Sequence, residues 1–248
     1  MKIIVDEAPA LKAAIDSVVS LVEEGLFEIT NDGIKLIAMD PSQISMISFM
    51  MPKSVFAEYS ISEERKLGLD ISQLSSVLSR SKKGEKAELG LEEGKLVITF
   101  LGTKRKRTFK IPLLDLSGGT HKEPKIEYQN NVKMNAESFK EALKDAKLVS
   151  SHVKLLLSPE EFVVEVKGDS GNAKAEFEKD GDEILELKTG SNGAKATFPL
   201  KYLEDIVKAT NVSTPVTIYL ETDKPLKIEY EIEGAKAVYY LAPRIESE

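Results

Sequence analysis

The feature that most constrains this chain is a repeat. Leu74, Val77 and Leu78 in one amphipathic segment match Leu203, Ile206 and Val207 in another at a constant offset of about 129 residues. Leu91 matches Leu220 at the same offset, and Lys12, Ala14 and Ile15 match Lys140, Ala142 and Leu143 at about 128. The offset is close to half of the 248 residues. A unit that recurs at half the chain length predicts two similar domains, each with its own core.

Hydrophobic spacing predicts what each domain contains. Apolar residues three and four apart predict helices over Pro9–Glu24, Ile71–Leu78, Ala136–Val149 and Pro199–Lys208, with Gly25 as the terminator of the first. Short alternating runs predict strands almost everywhere else, among them Val55–Tyr59, Arg107–Leu113 and Ile184–Lys188. Asn31-Asp32-Gly33 and Glu92-Glu93-Gly94-Lys95 predict hairpins. Two helices and about eight strands in each half, with helices on one face of antiparallel sheets, make an α+β fold. The stretch from Ser117 to Asn130 is polar, holds two glycines and a proline, and lacks a period. It reads as a connector between domains at 1–116 and 131–248.

Composition excludes some functions. There are 34 Lys and Arg against 41 Asp and Glu, a net charge of −7, which argues against nucleic-acid binding over the whole surface. A local basic face remains open. There is no cysteine, hence no disulfide and no thiolate chemistry, as a reducing compartment would suit. No apolar run approaches the ~20 residues of a membrane span. Met1–Asp6 carries no leader-like apolar segment, and a cytoplasmic, membrane-free protein is the expectation.

Enzymatic readings find few candidates. His121 and His152 are the only histidines, and neither Gly-x-Ser-x-Gly, a phosphate-binding loop nor Gly-x-Gly-x-x-Gly occurs. Asp40-Pro41 reads as a turn, because Pro41 drives Asp40 out of the helical region. A hydrolase using Asp40 and His152 is the residual catalytic alternative. The reading is of a non-enzyme with no cofactor, no metal and no catalytic residue.

Cations are patterned. Lys140, Lys144 and Lys147 lie at i, i+4 and i+7 and share one stripe. Lys201 and Lys208 share another, Lys12 lies on the first helix, and Arg80, Lys82 and Lys83 follow the second. These are either solvated helix faces or a phosphate-facing surface. Glu137, Glu141, Asp145, Glu204 and Asp205 lie nearby, and few aromatics do, so base stacking is not supported. The run Lys104-Arg105-Lys106-Arg107 reads as a charged hairpin or edge strand.

Two stretches carry a family resemblance. Ala38-Met39-Asp40-Pro41-Ser42, inside Leu36–Met51, and the tail Tyr239-Tyr240-Leu241-Ala242-Pro243-Arg244-Ile245-Glu246 resemble the PCNA family, the ring-shaped DNA sliding clamps of archaea and eukaryotes. The likeness extends over nearly all the residues between. It implies a homotrimeric ring around duplex DNA, gripped without base readout by Lys12, Arg80, Lys82, Lys83, Lys140, Lys144, Lys147, Lys201 and Lys208. A subunit of a heterotrimeric or checkpoint-type clamp is the alternative. The likeness further implies a pocket for short peptide motifs of DNA polymerase, flap nuclease, ligase and clamp loader, made by Met39, Ile44, Met46, Pro124, Pro225, Tyr240, Leu241, Ala242 and Pro243. Read without the family, those residues are core. It implies a subunit joint in which Arg107, Phe109 and Ile111 of one copy pair with Ile184, Leu185 and Leu187 of the next. Arg107 and Arg80 would face Glu137, Glu141 or Asp145 of that neighbour. Location would be cytoplasmic and nucleoid-associated in an archaeon, nuclear in a eukaryote. The chain departs from the family's pattern in three places. Polar Thr120, His121, Lys122 and Glu123 occupy the connector, Val19 stands at an expected basic position, and Ser76 and Ser79 stand where lysines are common.

Overall fold

The computed structural model describes residues 1–116, 121–168 and 171–244. They form two compact units. The first comprises Met1–Pro41, Ile47–Glu123 and Glu231–Ala237; the second comprises Ser42–Met46, Pro124–Tyr230 and the chain from Val238 on.

The first half runs β1 (Lys2–Val5), α1 (Ala8–Val19), β2 (Glu24–Thr30), β3 (Gly33–Met39) and β4 (Ser45–Pro52). A 3-10 turn at Lys53–Val55 leads to β5 (Glu58–Ser60), β6 (Arg65–Asp70), α2 (Ile71–Leu78), β7 (Lys86–Glu92), β8 (Lys95–Leu101) and β9 (Lys106–Pro112). The second half repeats that order. It runs β10 (Asn131–Asn135), α3 (Ala136–Lys147), β11 (His152–Leu157), β12 (Glu161–Gly168), β13 (Gly171–Glu178), β14 (Ile184–Lys188), β15 (Ala194–Pro199) and α4 (Leu200–Val207). Then come β16 (Pro215–Tyr219), β17 (Leu226–Ile232) and β18 (Ala235–Leu241).

Sheet order makes the repeat physical. The first unit orders its strands β5-β1-β7-β8-β9 and β4-β3-β2-β6; the second orders them β14-β10-β16-β17-β18 and β13-β12-β11-β15. Element for element, these are one topology, and the paired strands with printed register are antiparallel throughout. The helices bury matching stripes. Leu11, Ala14, Ile15 and Val18 of α1, with Leu74 and Leu78 of α2, are all at most 5% exposed. Phe139, Leu143 and Ala146 of α3 and Leu203, Ile206 and Val207 of α4 do the same in the second unit. Each such Leu, Ile, Val or Phe side chain contributes about 1.5–3 kcal/mol of transfer free energy. Val77, expected in this stripe, is only half-buried.

Local chemistry explains where elements begin and end. Asp70 caps α2 by accepting from the Gln73 amide at 2.7 Å. The first helix stops at Val19, not Glu24. Ser17 and Ser20 turn their hydroxyls onto the carbonyls of Ala14 and Ser17, at 2.6 and 2.8 Å, and help unwind the last turn. Gly25 therefore does not end the helix; it lies inside β2, where a Cβ would stand 2.5 Å from Leu36 Cδ1. The strand expected at Val55–Tyr59 is split, because Phe56 donates back to the Lys53 carbonyl at 3.2 Å and closes the 3-10 turn. The Glu92–Lys95 hairpin forms as read, with Glu93 and Gly94 both at positive φ, 49° and 72°.

Candidate nucleic-acid interface and partner pocket

In the second unit, α3 and α4 flank a groove of about 650 Å³. All five lysines singled out on these helices line it: Lys140, Lys144, Lys147, Lys201 and Lys208. The periodicity of α3 puts its three on one side, and α4 supplies the facing pair. Most are held. Lys140 is half-buried and donates to the Thr210 carbonyl at 2.5 Å, and burial lowers its pKa. Lys144 meets Glu141 at 2.5 Å, Lys147 crosses to Glu204 at 3.0 Å, and Lys201 meets Asp205 at 2.9 Å. Hydrogen bonds that Lys144 and Lys201 donate to Glu141 and Asp205 raise their pKa values. Lys208, just past α4, is exposed and makes no ion pair with another described residue. Glu137 in the first turn of α3 and Lys144 and Lys147 in its last complement the helix dipole.

The first unit's helix pair differs. Lys12 is its only cation, and it is paired with Asp16, whose other oxygen accepts from Ser75 Oγ at 2.9 Å. Arg80, Lys82 and Lys83 sit instead in the turn after α2, exposed and outside any ion pair among the described residues. That turn is braced from beneath. Glu85, 7% exposed, accepts from the Lys82 amide at 2.9 Å and from Arg107 at 2.5 Å, while Glu7 accepts from the Gly84 amide at 3.1 Å.

Of the residues assigned to a pocket, several converge within the second unit. Ala242 donates its amide to the Ile44 carbonyl at 2.9 Å, and Ser45 donates its hydroxyl to the Tyr240 carbonyl at 3.0 Å. Met46, Tyr240 and Leu241 are buried, while Ile44 is 36% exposed and Ala242 and Pro243 are half-buried. Pro225 and Pro124 are half-buried, and the Pro225 carbonyl accepts from Tyr128 at 2.9 Å. Met39 lies in the first unit, in a separate groove of about 310 Å³ with Leu36, Ile37 and His121. Tail residues Ile245 and Glu246, and Thr120 of the connector, lie outside the described residues.

Two strands end their sheets. β9 pairs only with β8, and β14 only with β10. Along them Ile111 and Ile184 are buried in their own units, Phe109 packs edge-on against Phe100, Leu187 is half-buried, and Leu185 is 53% exposed. Arg107 does not present its charge outward. It sits 5.0 Å over the Phe100 ring and holds Glu85, so the charge expected to face a neighbour is satisfied internally. Its side chain is 14% exposed, that of Glu85 10%.

Comparison with known proteins decides the family. The chain matches the models of the N-terminal domain of proliferating cell nuclear antigen over residues 1–117 and of its C-terminal domain over 122–245. This chain belongs to the proliferating cell nuclear antigen family. It is 41% identical to the DNA polymerase sliding clamp of Methanococcus maripaludis strain C5, over 95% of this chain and 96% of that one. Crystallised proliferating cell nuclear antigen from Thermococcus kodakaraensis matches with a TM-score of 0.93 at 25% identity, covering 98% and 99% of the two chains. A. fulgidus PCNA, solved with the C-terminal region of FEN-1 bound, matches at 0.88 and 29%, covering 100% and 99%. DNA polymerase sliding clamp is thus the function this family carries.

As a clamp-family chain, it holds no group of three or more His, Asp or Glu placed to bind a metal among the described residues. His152 shares a hydrogen bond with its neighbour Ser151, and Asp40 belongs to the other unit. Among the described residues no helix is long and apolar enough to cross a membrane. Sequence reasoning missed the anchor of the connector. Glu221 Oε1 accepts from the amides of Gln129 and Asn130 and from Asn130 Nδ2, at 2.5–3.2 Å. A Glu near a turn has no periodic signature, so nothing in the one-dimensional pattern marks it.

Proposed function

We propose that three copies of this chain close into a ring around duplex DNA and act without chemistry, as a mobile tether for enzymes working on that DNA. The supporting observation is the α3–α4 groove: five lysines on two helices of one unit, with no aromatic ring lining it. Lysines without stacking partners suit contact with phosphates along the backbone and no reading of bases. Lys12, Arg80, Lys82 and Lys83 would take the same role in the first unit. Domains at 1–116 and 131–248 would give the ring six helix pairs, three of them bearing the five-lysine groove.

The open edges of β9 and β14 fit a head-to-tail joint that closes by rotation, with main-chain pairing between copies. Phe109, Ile111, Ile184, Leu185 and Leu187 would carry its apolar contacts. Arg80 is the cation left to meet Glu141 or Asp145 of the neighbour. Ile44, Met46, Tyr240, Leu241, Ala242, Pro243, Pro225 and Pro124, with Met39, would receive short peptide motifs of polymerase, nuclease, ligase and loader, as the likeness to A. fulgidus PCNA with FEN-1 supports. Methionine suits such a pocket because its thioether chain repacks around differing ligands. A ring that cannot fall off raises the local concentration of whatever it holds. With archaeal relatives, its place is the archaeal nucleoid.

Solution mass and topology test this together. At dilute concentration the mass should be three times 27.4 kDa with this chain as sole subunit. Rings loaded on circular DNA should stay, and should run off once the circle is cut. A persistent monomer would favour a heterotrimer, and equal loss from circular and linear DNA would overturn encirclement.

A further inference from the structure

The lysine groove is partly neutralised by carboxylates that line it with the lysines. In two ion pairs of the groove, Lys147 with Glu204 between α3 and α4 and Lys201 with Asp205 within α4, the acid is the better shielded partner. The Glu204 side chain is 24% exposed against 64% for Lys147, and the Asp205 side chain is 28% exposed against 83% for Lys201. Both acids and both lysines line the groove itself. Glu204 comes from α4 and Lys147 from α3, so their bond at 3.0 Å spans the groove wall to wall. A lysine is long and can leave its partner, since an exposed ion pair holds it only weakly. The carboxylate cannot follow, because helix packing fixes it. A phosphate that captures Lys147 or Lys201 therefore stays within a few ångströms of a fixed negative charge. In the first unit Asp16 pairs with Lys12 and is also held by Ser75.

We propose that Glu204 and Asp205 set the grip of this groove on the DNA backbone: each acts as a fixed competitor that keeps its lysine from condensing onto one phosphate, so the duplex is held weakly at any one register. This rests on the reading of the groove as the phosphate face. The physical consequence is a count. Affinity for a duplex falls with salt by a slope of about 0.9 for each phosphate neutralised. Latched lysines count for less than one each; Lys208, which has no carboxylate partner among the described residues, counts in full.

The test uses the full-length chain on a short linear duplex, onto which rings thread from the ends. Affinity is read by fluorescence anisotropy through a salt titration. Glu204→Gln with Asp205→Asn keeps shape and removes charge. It should tighten binding about threefold or more at low salt and steepen the slope by about one. On loaded circles the same variant should diffuse along DNA more slowly. Lys147→Ala with Lys201→Ala should do the reverse. Unchanged affinity and slope in the Gln/Asn variant, with loss in the Ala variant, would overturn the latch and leave the phosphate face standing. No effect of either would overturn both. Asp205→Asn alone, which leaves the Glu204–Lys147 contact with α3 in place, gives a second reading if the double variant changes solution mass; a flat response there also counts against the latch.

Discussion

The two helix pairs of this chain share a scaffold and differ in what they show to solvent. α1 and α2 bury Leu11, Ile15, Leu74 and Leu78 just as α3 and α4 bury Phe139, Leu143, Leu203 and Ile206. Their outer faces have diverged. The second pair lines its groove with five lysines, whereas the first pair offers one lysine, tied to Asp16, among Ser72, Ser75, Ser76 and Ser79. The first unit places its free cations in a turn instead, at Arg80, Lys82 and Lys83. The lesson is that packing preserves the inward stripe, because any change there costs a cavity or a clash. Solvent imposes no such demand outward, so charge is free to redistribute between repeats.

The turn of the first unit depends on a device the second lacks. Arg107 and Glu85 are the most shielded ion pair among the described residues. Removing one partner leaves the other charge buried. Arg107→Ala should cost about 3–5 kcal/mol, measured by denaturant unfolding. A loss near that of an exposed pair, such as Lys2 with Glu58, would break the distinction.

Alkali should separate the units next. Burial raises the phenol pKa of Tyr59 to about 12 in the first unit and that of Tyr219 to about 12 in the second, where it also raises Tyr128 and Tyr230. The folded chain keeps these protons where the unfolded chain, with phenols near 10, loses them. Stability is therefore whole below about pH 10 and declines as pH climbs toward 12. With three such tyrosines against one, the second unit should lose amide-exchange protection first. Earlier opening of the first unit would contradict this.

The smallest effect belongs to Lys12. Already paired with Asp16, it should change the salt slope of DNA binding by well under one when replaced by Ala. Lys208→Ala should change it by about one. Equal changes would erase the contrast between helix pairs.

Much of this was legible beforehand. The offset repeat, the four helices and the Ile184–Lys188 strand follow from periodicity, which reports burial directly. The lysine stripes were visible too, since i, i+4, i+7 spacing is a statement about one helix. Gly25 was misread because a glycine after an apolar run signals a helix end equally well, and only the approach of Leu36 reveals its use. The inward commitment of Arg107 was hidden for the same reason: Glu85 is 22 residues away, a distance local pattern does not span.

By itself, then, the linear order of residues determined the duplicated α+β scaffold, the cationic helix faces and, through two short stretches, the family. Those are local properties, set by side-chain period and turn chemistry. Local spacing sets the pairs within one helix, Lys12 with Asp16, Lys144 with Glu141 and Lys201 with Asp205, whereas tertiary structure alone decided the pairs that join separate elements. Pairing between Lys147 and Glu204, or Arg107 and Glu85, exists only once separate elements are packed side by side.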